Sequence, residues 1–214
     1  WSTLTIQGGE TVSLMGITLT HGSGRGMALS ASHGILHEVE LTNSGSSSID
    51  GGAIHMSGGT LSLTSAVMSG NTADRGGHIL MTDGAEISIF ESTLSTGQAT
   101  RGGAIFALDG SGGGMSLSLE SSTVQGNQSD GDGGALYLES AASLVSSHTI
   151  YAQNQPDLGD GGAIYLGWAS TLSSVEDEFT DNGSTTPAGT WGGAISLGTY
   201  ASAELDTVSF TGNV

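Results

Sequence analysis

A pair of glycines, followed by a small residue or His and then by Ile or Leu, recurs six times along the chain. The pairs begin at Gly51, Gly76, Gly102, Gly133, Gly161 and Gly192, so neighbouring copies lie 25 to 31 residues apart. This period is typical of solenoids, in which each repeat buries its apolar face only against its neighbours. The spacing therefore constrains the fold more strongly than any single motif does.

A second motif runs in step with the glycines and ends in an amide side chain. Its copies end at Asn71, Gln98, Asn127, Asn154, Asn182 and Asn213. Weaker copies end at His21 and Asn43. Together the two motifs predict one solenoid domain over residues 1–214, with turns that start near residues 1, 25, 51, 76, 102, 133, 161 and 192.

Apolar residues alternate with polar or small residues inside each turn, as in Ile54 and Met56 or Leu61 and Leu63. This period of two indicates strands rather than helices. A third short strand precedes each amide, and we expect its inward residue to be one member of a single column. That column would contain Val67, Leu94, Val124, Ile150, Phe179 and Phe210. Three short strands per turn predict an all-β, right-handed parallel β-helix of about eight turns.

The repeated residues have structural explanations. The glycines stand where the chain re-enters a strand, where a positive φ or a close backbone approach excludes a Cβ atom. The asparagines would stack from turn to turn and hydrogen-bond along the column. We therefore expect a structural ladder of Asn71, Asn127, Asn154, Asn182 and Asn213.

Charge and composition exclude several classes of partner. The chain has three Arg, no Lys and 21 acidic residues, which gives a formal net charge of −18. Such a surface repels nucleic acid and anionic lipid. No apolar run approaches the roughly 20 residues of a membrane-spanning helix, so direct membrane insertion is not expected. The chain has no Cys, and its rigidity must come from backbone hydrogen bonds.

One recurring phrase is Gly-Gly-Ala-Ile or Gly-Gly-Ala-Leu, and another is Phe-x-x-Asn, which occurs at Phe179 to Asn182 and at Phe210 to Asn213. Together these phrases resemble the repeats of the chlamydial polymorphic outer membrane proteins and their bacterial relatives. The resemblance covers about residues 50 to 214 well and the first 49 loosely. It implies a β-helical passenger of a secreted or cell-surface bacterial adhesin. The chain has no Cys, which some members of the family carry, and we do not expect the family's transport route to be transferable from this resemblance.

One outward column is unusually apolar for so polar a chain. It reads His55, Leu80, Phe106, Tyr137, Tyr165 and Ser196. The three consecutive aromatic residues, Phe106, Tyr137 and Tyr165, are candidates for a surface that binds a glycan or a surface protein. The alternative is cross-strand stacking that stabilises the sheet locally.

The loops before the glycines carry most of the remaining chemistry. Neighbouring turns would place Asp50 beside Arg75, and Arg101 beside Asp132, as stacked ion pairs. Four loop carboxylates, those of Asp130, Asp132, Asp157 and Asp160, could hold Ca²⁺ or could be a solvated acidic surface. We assign no metal site and expect no cofactor.

Catalytic patterns are weak. The dispersed His residues, His55 and His78 among them, fit outward strand positions better than metal ligands. Serine and cysteine nucleophile motifs are lacking, and a polysaccharide lyase is an alternative through fold analogy alone. We expect the protein not to be an enzyme.

The ends of the chain fall at the same phase of the repeat. Trp1 aligns with Gly51, and Asn213 closes a turn, with no capping segment at either end. Uncapped strand edges invite another chain. Either the chain is part of a longer solenoid, or copies stack head to tail into a filament through Trp1, Leu4, Ile6, Phe210, Asn213 and Val214. The sequence thus predicts a structural or adhesive extracellular solenoid that self-associates, with a receptor- or glycan-binding adhesin as the alternative.

Overall fold

The computed structural model describes residues 2–20, 22–110, 113–184 and 192–214 as a stack of short parallel strands. Within these residues there is no helix, and so none that is long and apolar enough to cross a membrane. Every recorded strand pairing is parallel, which confirms the parallel β-solenoid.

Each rung of the coil contributes a first and a second strand to one sheet of 14 strands. The first strands are β1 (Ser2–Gln7), β8 (Ile79–Thr82), β12 (Ile105–Leu108), β16 (Leu136–Glu139), β20 (Ile164–Leu166) and β23 (Ile195–Leu197). The second strands are β2 (Thr11–Met15), β9 (Glu86–Phe90), β13 (Met115–Glu120), β17 (Ala142–Ser147), β21 (Thr171–Val175) and β24 (Ser202–Asp206). In two rungs a single long strand covers both positions, β4 (Arg25–His37) and β6 (Ile54–Thr64).

The third strands form a separate sheet of eight strands, one from each rung. They are β3 (Thr18–Thr20), β5 (Glu40–Thr42), β7 (Val67–Ser69), β10 (Thr93–Ser95), β14 (Thr123–Gln125), β18 (Ile150–Ala152), β22 (Glu178–Thr180) and β25 (Ser209–Thr211). A small third sheet follows the amide positions and contains β11 (Gln98–Ala99), β15 (Gln128–Ser129) and β19 (Gln155–Pro156). Eight rungs amount to about seven turns of the coil from the first to the last.

The paired glycines have the two predicted roles, a positive φ and a close approach of the backbone between rungs. Gly102 has φ +60°, a conformation that residues with a Cβ rarely adopt. At the adjacent Gly103, a Cβ atom would collide with the carbonyl oxygen of Gly134 in the next rung. The first glycine is therefore needed for its backbone conformation and the second for close approach between rungs.

The interior is filled by columns of aliphatic residues. Ile54, Met56, Leu61 and Leu63 are completely or almost completely buried, as the period of two predicted. The third column was predicted wrongly at two rungs, because Met68 and Tyr151 point inward in place of Val67 and Ile150. Each strand there has three residues and two adjacent apolar side chains, so the pattern alone could not choose between them.

An aromatic column lies inside the coil at its later rungs. The rings of Tyr151 and Phe179 are 4.7 Å apart, and those of Phe179 and Phe210 are 5.1 Å apart, with nearly parallel planes. The hydroxyl groups of Tyr151 and Ser146 are hydrogen-bonded at 2.9 Å. Burial raises the pKa of Tyr151, so the phenol stays neutral in the core.

Candidate functional site

The outward aromatic residues predicted from the sequence stack on one another across three rungs. The ring centroids of Phe106 and Tyr137 are 4.9 Å apart, and those of Tyr137 and Tyr165 are also 4.9 Å apart. Parallel pairing places these residues directly above one another, with Leu80 one rung earlier. We call Leu80, Phe106, Tyr137 and Tyr165 the outer column.

Arginine side chains cover part of the outer column. The guanidinium carbon of Arg75 lies 5.6 Å from the centre of the Phe106 ring, and that of Arg101 lies 5.6 Å from the centre of the Tyr137 ring. Phe106 is 1% exposed and Tyr137 is 6% exposed. The prediction of a contact surface made of all three rings is therefore wrong, because of the three only Tyr165 is partly exposed. Binding stays a prediction for that residue.

The guanidinium groups of Arg75 and Arg25 are held by a carboxylate and by backbone carbonyl oxygens, respectively. Arg75 donates two hydrogen bonds to the Asp50 carboxylate, at 3.0 and 2.7 Å, and these raise the pKa of Arg75. Arg25 donates to the carbonyl oxygens of Asp50 and Gly51. The predicted pair of Asp50 and Arg75 is confirmed.

The second predicted ion pair does not form. Within the described part of the chain, no ion pair joins Arg101 to Asp132. The Asp132 Oδ1 atom instead accepts a hydrogen bond of 2.9 Å from the backbone N–H of Asp160. Arg101 lies against Tyr137, so the aromatic ring takes the place of the predicted carboxylate.

Carboxylates act on both tyrosines of the outer column, and a guanidinium lies against the Tyr137 ring. Burial raises the pKa of Tyr137 to about 12. Burial, followed by the carboxylates of Asp132, Asp160 and Glu139, raises the pKa of Tyr165. Tyr165 is thus a phenol among carboxylates, whereas Phe106 and Tyr137 lie beside guanidinium groups.

The predicted asparagine ladder is present inside the corner from Asn127 to Asn213, but Asn71 is not joined to it. Asn127, Asn154 and Asn182 each donate from Nδ2 to Oδ1 of the asparagine in the next rung, at 2.9 to 3.0 Å, and the series ends at Asn213. Each of these Oδ1 atoms also accepts a backbone N–H from the preceding rung. In the earlier rungs the register places Ser44, not Asn43, beside Asn71, and His21 lies outside the described residues.

The ladder is interrupted between Asn71 and Asn127. Gly97, not Gln98, occupies the ladder position there, because its N–H donates to Oδ1 of Asn127. His78 fills the space, with its Nδ1 atom 2.9 Å from Nδ2 of Asn71. The prediction that His78 points outward is wrong, since the side chain is fully buried. Burial lowers its pKa to about 4, so the ring is neutral.

The loop carboxylates of the described residues are not grouped as metal ligands. Across the described ranges, no three His, Asp or Glu side chains are placed to hold a metal ion. The geometry therefore gives no support to Ca²⁺ binding by Asp130, Asp132, Asp157 and Asp160.

The two end rungs expose residues that are core elsewhere. In the last rung Leu197, Leu205 and Phe210 are 45 to 50% exposed, and Val214 is 68% exposed. They line or adjoin a concavity of about 440 Å³ that also contains Ala203 and Asn213. In the first rung Leu4 and Ile6 are only partly buried. Trp1, the other predicted interface residue, lies outside the described residues.

A second aromatic group was not predicted from the sequence. Trp168 and Tyr200, 57% and 80% exposed, meet edge to face with ring centroids 6.4 Å apart. They stand at corresponding corners of adjacent rungs, between the first and second strands. The signal was available in the aligned phrases "LGWAS" and "LGTYAS".

Comparison with known proteins identifies one repeat. Residues 121–139 match the family model of the Chlamydia polymorphic membrane protein repeat. One repeat of the chain is therefore similar to the polymorphic membrane protein repeat. The matched residues contain Asn127 of the ladder, the Gly133–Gly134 pair and Tyr137 of the outer column, so the match includes both recurring motifs, the amide and the paired glycines. No curated protein and no solved structure matches the chain.

Proposed function

We propose that this protein is a non-catalytic structural and adhesive β-solenoid of the bacterial cell surface, in which copies stack end to end. The polymorphic membrane protein-type repeat and the parallel coil support a passenger of this kind. The net charge of −18 suits an extracellular surface that stays soluble and repels anionic membranes. The single observation that carries the proposal is that the apolar columns of the first described rung match those of the last.

The two end rungs are complementary column by column. Pairing traced from rung to rung puts Leu4 and Ile195 at the ends of one column, Leu14 and Leu205 at the ends of another, and Leu19 and Phe210 at the ends of a third. If the first rung of one copy lay on the last rung of another, each apolar side chain would meet an apolar side chain.

The same superposition avoids repulsion between strands. The column that ends in Glu204 begins at Ser13, and the column that ends in Asp206 begins at Met15. The edge strands also leave backbone groups available, because β3 and β25 are the outermost strands of their sheet. Parallel pairing across such a joint would continue the ladders and bury apolar surface at once.

Sedimentation velocity and negative-stain microscopy over a range of protein concentrations test this proposal. We expect association that grows with concentration and rods of repeating length. Leu205→Glu and Leu14→Glu should each prevent association, because each places a charge in the joint. Ser209→Glu is the matched control, since Ser209 lies outward beside Phe210 on β25. Monomers at all concentrations would contradict end-to-end stacking.

A receptor- or glycan-binding adhesin is a second candidate, favoured by the exposed pair of Trp168 and Tyr200. Exposed aromatic rings are common anchors of binding surfaces. Binding of a glycan should change the fluorescence of Trp168 and should be lost in Trp168→Ala, whereas unchanged fluorescence across a glycan panel would leave this candidate without support.

A further inference from the structure

The outer column shows what chemical group its aromatic rings accept. In two successive rungs an arginine lies against the ring of the following rung, Arg75 against Phe106 and Arg101 against Tyr137, both at 5.6 Å. Both arginines are the residues that immediately precede a glycine pair. The repeat therefore places a cation beside an aromatic ring by a regular geometry, not by a single accident of packing.

The next rung keeps the aromatic ring of this arrangement but lacks the arginine. The residue before its glycine pair is Asp132, and the ring of the following rung is Tyr165. Tyr165 continues the aromatic stack on Tyr137 and remains partly exposed. The column thus supplies a third ring but places a carboxylate where the two earlier rungs have a guanidinium.

The chain has no further cationic side chain to offer. Its three arginines all lie in the described residues, and it has no lysine. Arg25 binds the carbonyl oxygens of Asp50 and Gly51, Arg75 binds Asp50, and Arg101 lies against Tyr137. Because the guanidinium of Arg101 lies against Tyr137, a guanidinium stacked on the Tyr165 ring would come from another molecule.

The electrostatic field around Tyr165 favours such a cation. Burial, followed by the carboxylates of Asp132, Asp160 and Glu139, raises the pKa of Tyr165 more than Arg101 lowers it, so the charge that acts on this ring is negative on balance. A positive group between an aromatic face and carboxylates gains both a cation–π contact and charge-assisted hydrogen bonds.

We propose that Tyr165, with Asp132, Asp160 and Glu139, is a binding site for an arginine side chain of a basic partner protein. The site lies on the side of the coil and is independent of end-to-end stacking. A second copy of this chain is a poor occupant, since it carries a net charge of −18 and its arginines are engaged. A neutral glycan lacks the charge that the carboxylates recognise.

Nuclear magnetic resonance titration tests the site with a capped Gly-Arg-Gly peptide and its citrulline analogue, which keeps the shape but lacks the charge. We expect the arginine peptide to shift resonances of Tyr165, Tyr137 and Asp132, and the citrulline peptide to leave them in place. Tyr165→Leu should weaken binding of the arginine peptide about fivefold, because it removes the face of the aromatic ring. Asp132→Asn should weaken binding of the peptide by a similar factor. This variant keeps a side-chain oxygen that can accept the hydrogen bond from the Asp160 N–H.

Two further variants make the test specific. Asp132→Arg should abolish binding, because the chain would then fill the position itself, as it does beside Phe106 and Tyr137. Glu178→Gln removes one charge from an exposed strand position of the same rung and should leave binding unchanged. Shifts spread evenly over the acidic surface, equal affinity for both peptides, or equal binding to native protein and Tyr165→Leu would each overturn the proposal. Leu205→Glu, which blocks stacking, should bind the peptide normally, so that failure of either proposal is distinguishable from failure of the other.

Discussion

The middle rungs and the end rungs of this coil contain the same columns of residues, but burial differs sharply between them. Leu63 is fully buried, whereas Leu205, which ends the same column, is 45% exposed. Met68 is fully buried, whereas Phe210 at the end of its column is 48% exposed. An inward residue of a solenoid is therefore a core residue only when a rung lies on each side of it.

The largest difference is expected between truncations in one column. Leu63→Ala should lower the free energy of unfolding by about 3 kcal/mol, because a buried leucine leaves a cavity. Leu205→Ala should cost under about 1 kcal/mol in dilute protein, since half of its side chain is already in water. Urea denaturation of both variants measures the difference, and equal losses would show that the end rung is packed like the middle.

His78 makes the middle of the coil sensitive to acid. Its pKa is about 4 in the folded protein against an ordinary value of 6.5, so between these values the unfolded chain binds more protons. Stability contributed by the neutral ring should be complete above pH 6.5 and fall by about 3 kcal/mol as the pH drops through 4. Unfolding midpoints from pH 7.5 to 4 should show a shallower slope in His78→Asn, and parallel curves would rule out His78 as the cause.

The asparagine ladder offers a polar version of the same comparison. Asn154→Ala should destabilise the protein by about 2 kcal/mol, because it leaves buried groups of Asn127 and of the Val124 carbonyl without partners. Asn213→Ala removes the terminal member, whose ladder position is less buried, and should cost about half as much. Thermal denaturation of the two variants measures the difference in stability. A larger loss for Asn213→Ala than for Asn154→Ala would contradict the expected dependence on burial.

The smallest effect is expected on the outside of the coil. Asp50→Asn should cost about 0.5 kcal/mol, because the bond to Arg75 is partly exposed to solvent. The loss should shrink further in high salt. A salt-independent loss of several kcal/mol would instead mean that Arg75 holds Phe106 in place by more than a surface contact.

Periodicity in the sequence was enough to predict the coil, the inward faces of its first and second strands, the glycine conformations and the ladder from Asn127 to Asn213. These follow from rules that apply to every rung alike. The errors lie where a rung departs from the average, as with two adjacent apolar residues at Val67 and Met68, or a glycine at position 97.

The exchange of partners on the outer column was also beyond sequence reasoning. Arg101 precedes a glycine pair as Arg75 does, and an acidic neighbour one rung away suggested an ion pair. The structure places the guanidinium against Tyr137 while the carboxylate of Asp132 accepts a backbone N–H. Side-chain direction, not spacing, decides between a ring and a carboxylate when both are in reach.

Hydrogen exchange of the edge strands at low and high protein concentration tests the central claim most directly. We expect the amides of β3 and β25 to become protected as the protein concentration rises, and the amides of β7 and β10 in the middle of the coil to keep the same protection. Edge amides that exchange equally fast at every concentration would contradict the claim that the exposed end rungs bind one another.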